Sequence, residues 1–256
     1  MGKFLEKGRV ISNEQLSKDM WQIELRAPKI ATASVPGQFL MVGLSGYLRR
    51  PFGVADVNGD CLKMIYRIVG SGTHHMMKLK PGEALDVEGP LGVGFAAGRG
   101  SDECSRHILV GGGAGLAPLL LLAHDLYDRH VPAEVIIGAK NEQEASFWKK
   151  LFNPYIETIH VTTDDGSAGV KGFPTDVLPK LLNEGHDTSV ECCGPGIMMK
   201  GIAGIASACG ARCEVSLESR MACGLGVCLG CSFTGADGRR HRVCKDGPVF
   251  PSEVVW

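Results

Sequence analysis

At 256 residues, with a formal net charge of −1, 44% hydrophobic and 21% charged residues, the chain has the composition of a globular protein with room for two or three compact units. Disordered and fibrous classes are excluded, and the balanced charge offers no basic face for nucleic acid. Thirty-five glycines are about double the usual share and ten cysteines are many, so the backbone and the thiols are where function is to be sought.

The N-terminus, MGKFLEKGRV, carries charges where a secretory signal needs an apolar core, so a cytoplasmic location is expected. In that reducing compartment the cysteines read as buried residues or metal ligands rather than a disulfide framework. From Gly8 to about Gly92 the pattern is one of short strands. Trp21, Ile23 and Leu25 alternate with polar neighbours, as do Leu62, Met64, Tyr66 and Ile68. The turns Val35-Pro36-Gly37, Asn58-Gly59-Asp60 and Lys80-Pro81-Gly82 separate the runs, which predicts an antiparallel β-barrel or sandwich, with a short helix after Thr73.

After the loose segment Ala96 to Arg106 the rhythm becomes strand then helix. The pattern predicts strands over 107–110, 133–139, 156–163 and 188–192, with helices over 118–129, 142–152, 173–184 and 196–208. Such alternation implies an α/β parallel-sheet domain covered on both faces, with ligands beyond the carboxyl ends of its strands. The charge-free stretch His107 to His124 approaches the length of a membrane span. Gly111, Gly112, Gly113, Gly115 and Pro118 interrupt it, so no membrane association is expected. From Cys213 onward the chain is too short and glycine-rich for its own core and needs a staple. The expected division is residues 1–98, 99–212 and 213–256.

Cys223-x4-Cys228-x2-Cys231 followed by Cys244 has the plant-type ligand spacing for a 2Fe-2S cluster. Gly224, Gly226 and Gly230 suit a tight loop whose N–H groups can face the sulfurs. A structural zinc site is the alternative, though it usually draws on two C-x2-C pairs and this segment has one. The other six cysteines read as small apolar residues, Cys193 excepted. Gly111-Gly112-Gly113-Ala114-Gly115-Leu116-Ala117-Pro118 follows a buried strand and opens a helix, the setting of a pyrophosphate-binding turn. It matches only half of G-x-G-x-x-G, and a ligand-free glycine turn is the alternative. Cys193-Gly194-Pro195-Gly196 falls on the same sheet edge, where a nicotinamide could reach, or serves only as a helix cap. Thr162 to Gly166 also lies there and reads as a polar turn. Arg49-Arg50-Pro51-Phe52-Gly53 and Tyr66-Arg67 with Gly70 to Thr73 form either an anion site for a cofactor diphosphate or ordinary surface arginines. His74 and His75 lack ligand-spaced partners, and no hydrolytic nucleophile arrangement is present.

Taken in order, RRPFGV, YRIVGSGT, EGPLGVGF, VGGGAGLAPLL, CCGPGIMMK and LESRMACGLGVCLGCSF with VCKDGPVF resemble the ferredoxin-reductase family. Within it they are similar to the branch forming the electron-transfer subunit of dihydroorotate dehydrogenase B. The resemblance covers nearly the whole chain, its C-terminal segment being the most specific part. It implies FAD on Arg50, Pro51, Phe52, Gly53, Ile65, Tyr66, Arg67, Gly72 and Thr73. NAD would lie over Gly111, Gly112, Gly113, Gly115, Pro118, Cys193, Gly194 and Pro195, and the cluster on Cys223, Cys228, Cys231 and Cys244. Gly53 stands where the family has a serine, which removes a hydroxyl from the flavin's surroundings.

The implied function is electron transfer in pyrimidine biosynthesis, from an FMN-containing catalytic subunit through 2Fe-2S and FAD to NAD, in a heterotetramer. Flavin is needed between a two-electron nicotinamide and a one-electron cluster. A related NAD(P)H:ferredoxin or sulfide-linked oxidoreductase subunit shares the same modules, and a zinc-stabilised nucleotide sensor is the non-catalytic alternative. NADP is left open: Lys140 would favour a 2′-phosphate and Glu142 would oppose it.

Overall fold

A computed structural model describes residues 2–44, 46, 48–100, 104–182 and 187–256. The first sheet is built from β1 (Phe4–Gln15), β2 (Met20–Arg26), β3 (Phe39–Gly43), β4 (Arg50–Gly53), β5 (Asp56–Asn58), β6 (Cys61–Arg67) and β7 (Ala84–Leu91). Its order is β4-β3-β7-β1-β2-β6-β5, and every pairing is antiparallel. Two short helices accompany it, α1 (Pro28–Ala33) and α2 (Ser71–Met76). The alternation read from β2 and β6 is real: Ile23, Leu25, Leu62, Met64 and Tyr66 are buried in one core with Val10, Leu40, Val42 and Val87. Helix α2 begins two residues before Thr73, because the Thr73 hydroxyl accepts the Val69 and Gly70 N–H groups at 2.9 and 3.2 Å and so caps the turn that starts it.

The second sheet runs β11-β10-β9-β8-β12-β13-β16. Its parallel strands are β8 (Arg106–Gly112), β9 (Ala133–Ala139), β10 (Thr158–Thr163), β11 (Val170–Lys171), β12 (Thr188–Cys193) and β13 (Arg212–Ser216). Helices α3 (Ala117–Asp128) and α4 (Glu142–Phe152) cover one face, burying Leu119, Leu120, Trp148 and Phe152 against Leu109, Val135 and Ile137. The opposite face holds α5 (Leu178–Leu182) and α6 (Gly196–Ala208), with Leu178, Met199 and Ile202 on Ile108, Val110, Ile136 and Val190. The strand residues thus alternate between two cores, as a doubly covered sheet requires.

The continuous helix expected over 173–184 is not observed. A 3₁₀ turn, Pro174–Asp176, precedes the five-residue α5, and residues 183–184 lie outside the described set. Pro179 explains part of this, since it cannot donate within the helix, and Asp176 ties back to the Phe173 N–H at 2.7 Å. Of the loose segment 96–106, residues 101–103 are likewise outside the described set.

The C-terminal segment is stapled from outside. β13 runs across residues 212 and 213, and β16 (Val249–Pro251) returns to pair antiparallel with it. Between them lie the hairpin β14 (Ser232–Thr234) and β15 (Arg240–Arg242) and the short helix α7 (Val243–Asp246), with α8 (Ser252–Val255) closing the chain. Cys231, Val243 and Cys244 pack against Phe39, Met41 and Leu91 of the barrel, so the barrel supplies the core that this segment lacks.

Candidate functional site

Strand order reverses at β8 and β12, which are hydrogen-bonded neighbours leading to helices on opposite faces of the sheet. The two glycine loops after them therefore meet at a switch point. Contact between them is close: a Cβ built on Gly115 would stand 2.5 Å from Cys193 O and 2.6 Å from Gly194 Cα. A Cβ on Gly112 would stand 3.0 Å from Met198 Sδ and 3.2 Å from Pro195 Cδ. Gly113 adopts φ +56° and Gly194 φ +151°, conformations that favour glycine. Gly111, at the end of β8, is filled from behind by Leu116.

A cavity of about 590 Å³ opens where the barrel, the parallel sheet and the cysteine-rich segment come together. The barrel contributes Arg50, Pro51, Phe52, Gly53, Ile65, Tyr66, Arg67, Gly72 and Thr73, all nine of the residues expected there. From the parallel-sheet domain come Ala114, Ala117, Pro118 and Cys193; Gly111, Gly112, Gly113, Gly115, Gly194 and Pro195 lie away from its walls. The third wall, Ser216, Leu217, Glu218, Ser219, Met221 and Pro248, was not read from the sequence. Its signal was slight: Ser216 ends a strand that the pattern did not mark, just before the cysteine loop.

Inside the cavity the side chains are already engaged. Tyr66 Oη donates to Asn13 Oδ1 at 3.0 Å, and burial pushes its phenol well above the ordinary range. Phe52 meets Tyr66 edge-on with centroids 6.1 Å apart. Arg50 donates to the Leu48 and Arg49 carbonyls. Arg67 is bound by two carboxylates, Asp19 and Glu144. Gly53 abuts Pro118: a Cβ there would lie 3.1 Å from Pro118 Cγ, so a side chain at 53 would press the barrel against α3. Burial, with Glu218 nearby, raises the Cys193 thiol to about 12, so it is neutral at physiological pH.

Among the described residues no three Cys, His, Asp or Glu side chains surround a single point as ligands of one ion. Backbone N–H groups instead point at the sulfurs: Leu225 N–H donates to Cys223 Sγ and Cys244 N–H to Cys231 Sγ, each at 3.4 Å. Gly224 (φ +66°), Gly226 (φ +81°) and Leu229 (φ +60°) turn the connecting loop. Burial raises the Cys223 thiol, but the N–H groups of Cys228, Leu225 and Val227 outweigh it and bring the value down to about 6. Burial and the neighbouring Cys231 push Cys244 up to about 12. Thiols crowded in this way cannot all ionise unless positive charge enters among them. Backbone N–H groups aimed at cysteine sulfurs, with no four-ligand centre already formed among the described residues, suit the thiolate ligands of an iron-sulfur cluster better than a single zinc ion, whose four ligands share one centre.

A family model described as the iron-sulfur cluster binding domain of dihydroorotate dehydrogenase B matches residues 218–255. The chain is 36% identical to the dihydroorotate dehydrogenase B (NAD(+)) electron transfer subunit of Caldanaerobacter subterraneus subsp. tengcongensis, over 97% of each chain. It belongs to the family of dihydroorotate dehydrogenase B electron transfer subunits. A second relative in this family, from Aquifex aeolicus and named an electron transfer subunit homolog, is 39% identical over 96% of each chain. Among solved structures, one from work on flavin-based electron bifurcation by an NADH-dependent reduced ferredoxin-NADP oxidoreductase superposes with a TM-score of 0.84 at 30% identity. It covers 98% of this chain and 90% of that one. A Neisseria gonorrhoeae ferredoxin NADP+ reductase with bound FAD and NADP shares the fold at a TM-score of 0.64 and 15% identity, covering 80% and 92%. As these subunits' ferredoxin-reductase-like fold implies, the chain is an oxidoreductase subunit. Among the described residues no helix is long and apolar enough to cross a membrane.

Proposed function

We propose that this chain carries electrons from an FMN-containing dihydroorotate dehydrogenase subunit through a 2Fe-2S cluster and FAD to NAD, within a cytoplasmic heterotetramer. The observation that carries this reading is the three-walled cavity, in which the barrel, the glycine loop and the segment leading to the cysteines face the same space. On this reading residues 1–98 hold flavin, 99–212 the dinucleotide and 213–256 the cluster, the last sharing β13 and β16 with the nucleotide sheet. Flavin supplies the exchange between paired and single electrons that a nicotinamide and an iron-sulfur centre require.

The chain's own residues bind and orient. Arg50 and the backbone N–H groups of Ser71 to Thr73 would hold the flavin's diphosphate, while Phe52, Ile65 and Tyr66 would give its ring an apolar seat that limits water. Gly111 to Pro118 let a dinucleotide pyrophosphate approach the backbone at the entry to α3. Cys193, neutral and buried, packs where the nicotinamide would meet the flavin without adding a competing charge. Cys223, Cys228, Cys231 and Cys244 supply the thiolates for the cluster.

A second reading, the FAD/2Fe-2S subunit of an NAD(P)H:ferredoxin or sulfide-linked oxidoreductase, is favoured by the 0.84 superposition on the bifurcating oxidoreductase and by Gly53. Co-expression with a candidate FMN subunit separates the two. Dihydroorotate-dependent NAD reduction by the purified complex supports the first reading. Ferredoxin-dependent NAD(P) reduction without response to dihydroorotate supports the second.

A further inference from the structure

Arg67 lines the cavity, yet its guanidinium is already taken. Nη2 donates to Glu144 Oε1 at 3.0 Å, and Nε lies 3.1 Å from Asp19 Oδ2 without the alignment of a hydrogen bond. Asp19 sits on the barrel beside Arg67, just before β2, whereas Glu144 reaches across from the first turn of α4. Its position is fixed from three sides. Glu144 Oε2 accepts the Lys140 N–H at 3.1 Å, its own N–H donates to Asn141 Oδ1 at 3.1 Å, and its side chain is 15% exposed against 28% for Arg67.

The pair lies over the glycine loop. A Cβ built on Gly113 would stand 3.8 Å from Arg67 Nη2 and 3.9 Å from Glu144 Oε1, with no other non-neighbouring atom within 4 Å. A protein carboxylate thus occupies the mouth of the turn whose glycine backbone and following helix attract an anion.

We propose that Glu144 is a gate on this turn, its carboxylate holding the place on Arg67 that the pyrophosphate of a nicotinamide dinucleotide takes. The inference rests on the reading of Gly111 to Pro118 as the pyrophosphate turn. Binding exchanges one anion for another on the same guanidinium, so Arg67 is never left as an unpaired, half-buried cation. Glu144 swings out to solvent, and the bridge between barrel and nucleotide domain passes from a side chain to the ligand. Arg67 is then a positioning residue: it lines the flavin cavity on one side and holds the dinucleotide on the other. Glu144 opposes entry twice, by competing for Arg67 and by repelling the phosphates.

The test is Glu144→Gln in the FAD-loaded protein. Glutamine keeps an oxygen for the Lys140 N–H and leaves the Asn141 cap in place, so what is lost is the charge and the acceptor facing Arg67. Anaerobic calorimetric titration of the dithionite-reduced protein, whose flavin accepts no further electrons from NADH, with NADH and with ADP-ribose should show both binding about three- to tenfold more tightly, while adenosine, which lacks the pyrophosphate, is unaffected. FAD retention on dialysis should not change. Gly113→Val, strained at φ +56°, serves as the control for the turn and should weaken NADH binding strongly. NADH binding unchanged or weaker in Glu144→Gln, with the Gly113→Val effect intact, overturns the gate alone. NADH binding that survives Gly113→Val overturns the reading of the turn and the gate with it. Tighter FAD with unchanged NADH assigns Arg67 to the flavin diphosphate and likewise overturns the proposal.

Discussion

Gly115 tests whether the two loops at the switch point are held in register by close backbone approach. An alanine methyl there would stand 2.5 Å from Cys193 O, 2.6 Å from Gly194 Cα and 2.7 Å from Cys193 C. All three are backbone atoms at the end of β12, a strand paired on both sides, so they cannot swing aside as a side-chain tip could. Relief requires a shift of about 0.5–1 Å in one loop, and overpacking of this kind costs about 1–3 kcal/mol. At about 2–4 °C per kcal/mol for a chain of this size, Gly115→Ala should melt about 2–12 °C below the parent. Gly204→Ala is the matched control. It lies inside α6 with nothing within 4 Å of the built Cβ, so the same added methyl should raise stability by about 0.5–1 kcal/mol. Thermal unfolding followed by far-UV circular dichroism on the FAD-loaded proteins reads both. Equal melting temperatures for the parent and Gly115→Ala would refute the close-approach argument.

Cys228→Ala should abolish iron and sulfide incorporation while FAD stays bound, because the barrel wall does not depend on the loop; stoichiometric iron in that variant contradicts the ligand set. Asp56, 4% exposed, accepts from Lys63 Nζ at 3.2 Å and the Val57 N–H at 3.0 Å and lies 2.8 Å from His124 Nδ1 of α3, joining barrel to nucleotide domain. Asp56→Ala should cost about 2–3 kcal/mol in urea unfolding, less than a fully buried pair because its partners are about a quarter exposed; a loss under about 0.5 kcal/mol counts against that joint. Burial raises the Glu134 carboxyl, but His160 and Arg106 outweigh it and hold the group below 4.5. Its stabilisation is complete above 4.5 and is lost as pH falls through the depressed folded value. The urea midpoint gap between parent and Glu134→Gln should therefore close at acid pH, and a gap that widens there contradicts the pairing.

The helices over 142–152 and 196–208 and the strand over 133–139 were legible to the residue, because apolar periodicity and flanking caps such as Asn141 agree there. The helix expected over 173–184 failed where Pro179 and the Asp176 turn overrode the apolar run. Helix α1 escaped notice because it is six residues long and held by Glu6, whose carboxylate accepts the Ile30 N–H at 2.9 Å from 24 residues away. Strand β16 could not be seen for a related reason: three residues become a strand only because β13 lies beside them. The barrel wall of the cavity was readable through resemblance, whereas Ser216 to Ser219 and Met221 join it through tertiary placement alone. Arg67 shows the same limit from the other side. Its charge was visible, but its capture by Asp19 and Glu144 belongs to the fold.

The electron path through flavin and cluster is tested most directly by the cofactor content and redox response of the purified, anaerobically reconstituted chain. It predicts about one FAD and about two each of iron and sulfide per chain, with flavin and iron-sulfur absorbance both bleached by NADH. A colourless protein that binds stoichiometric zinc, or a flavoprotein whose colour NADH leaves untouched, would contradict it.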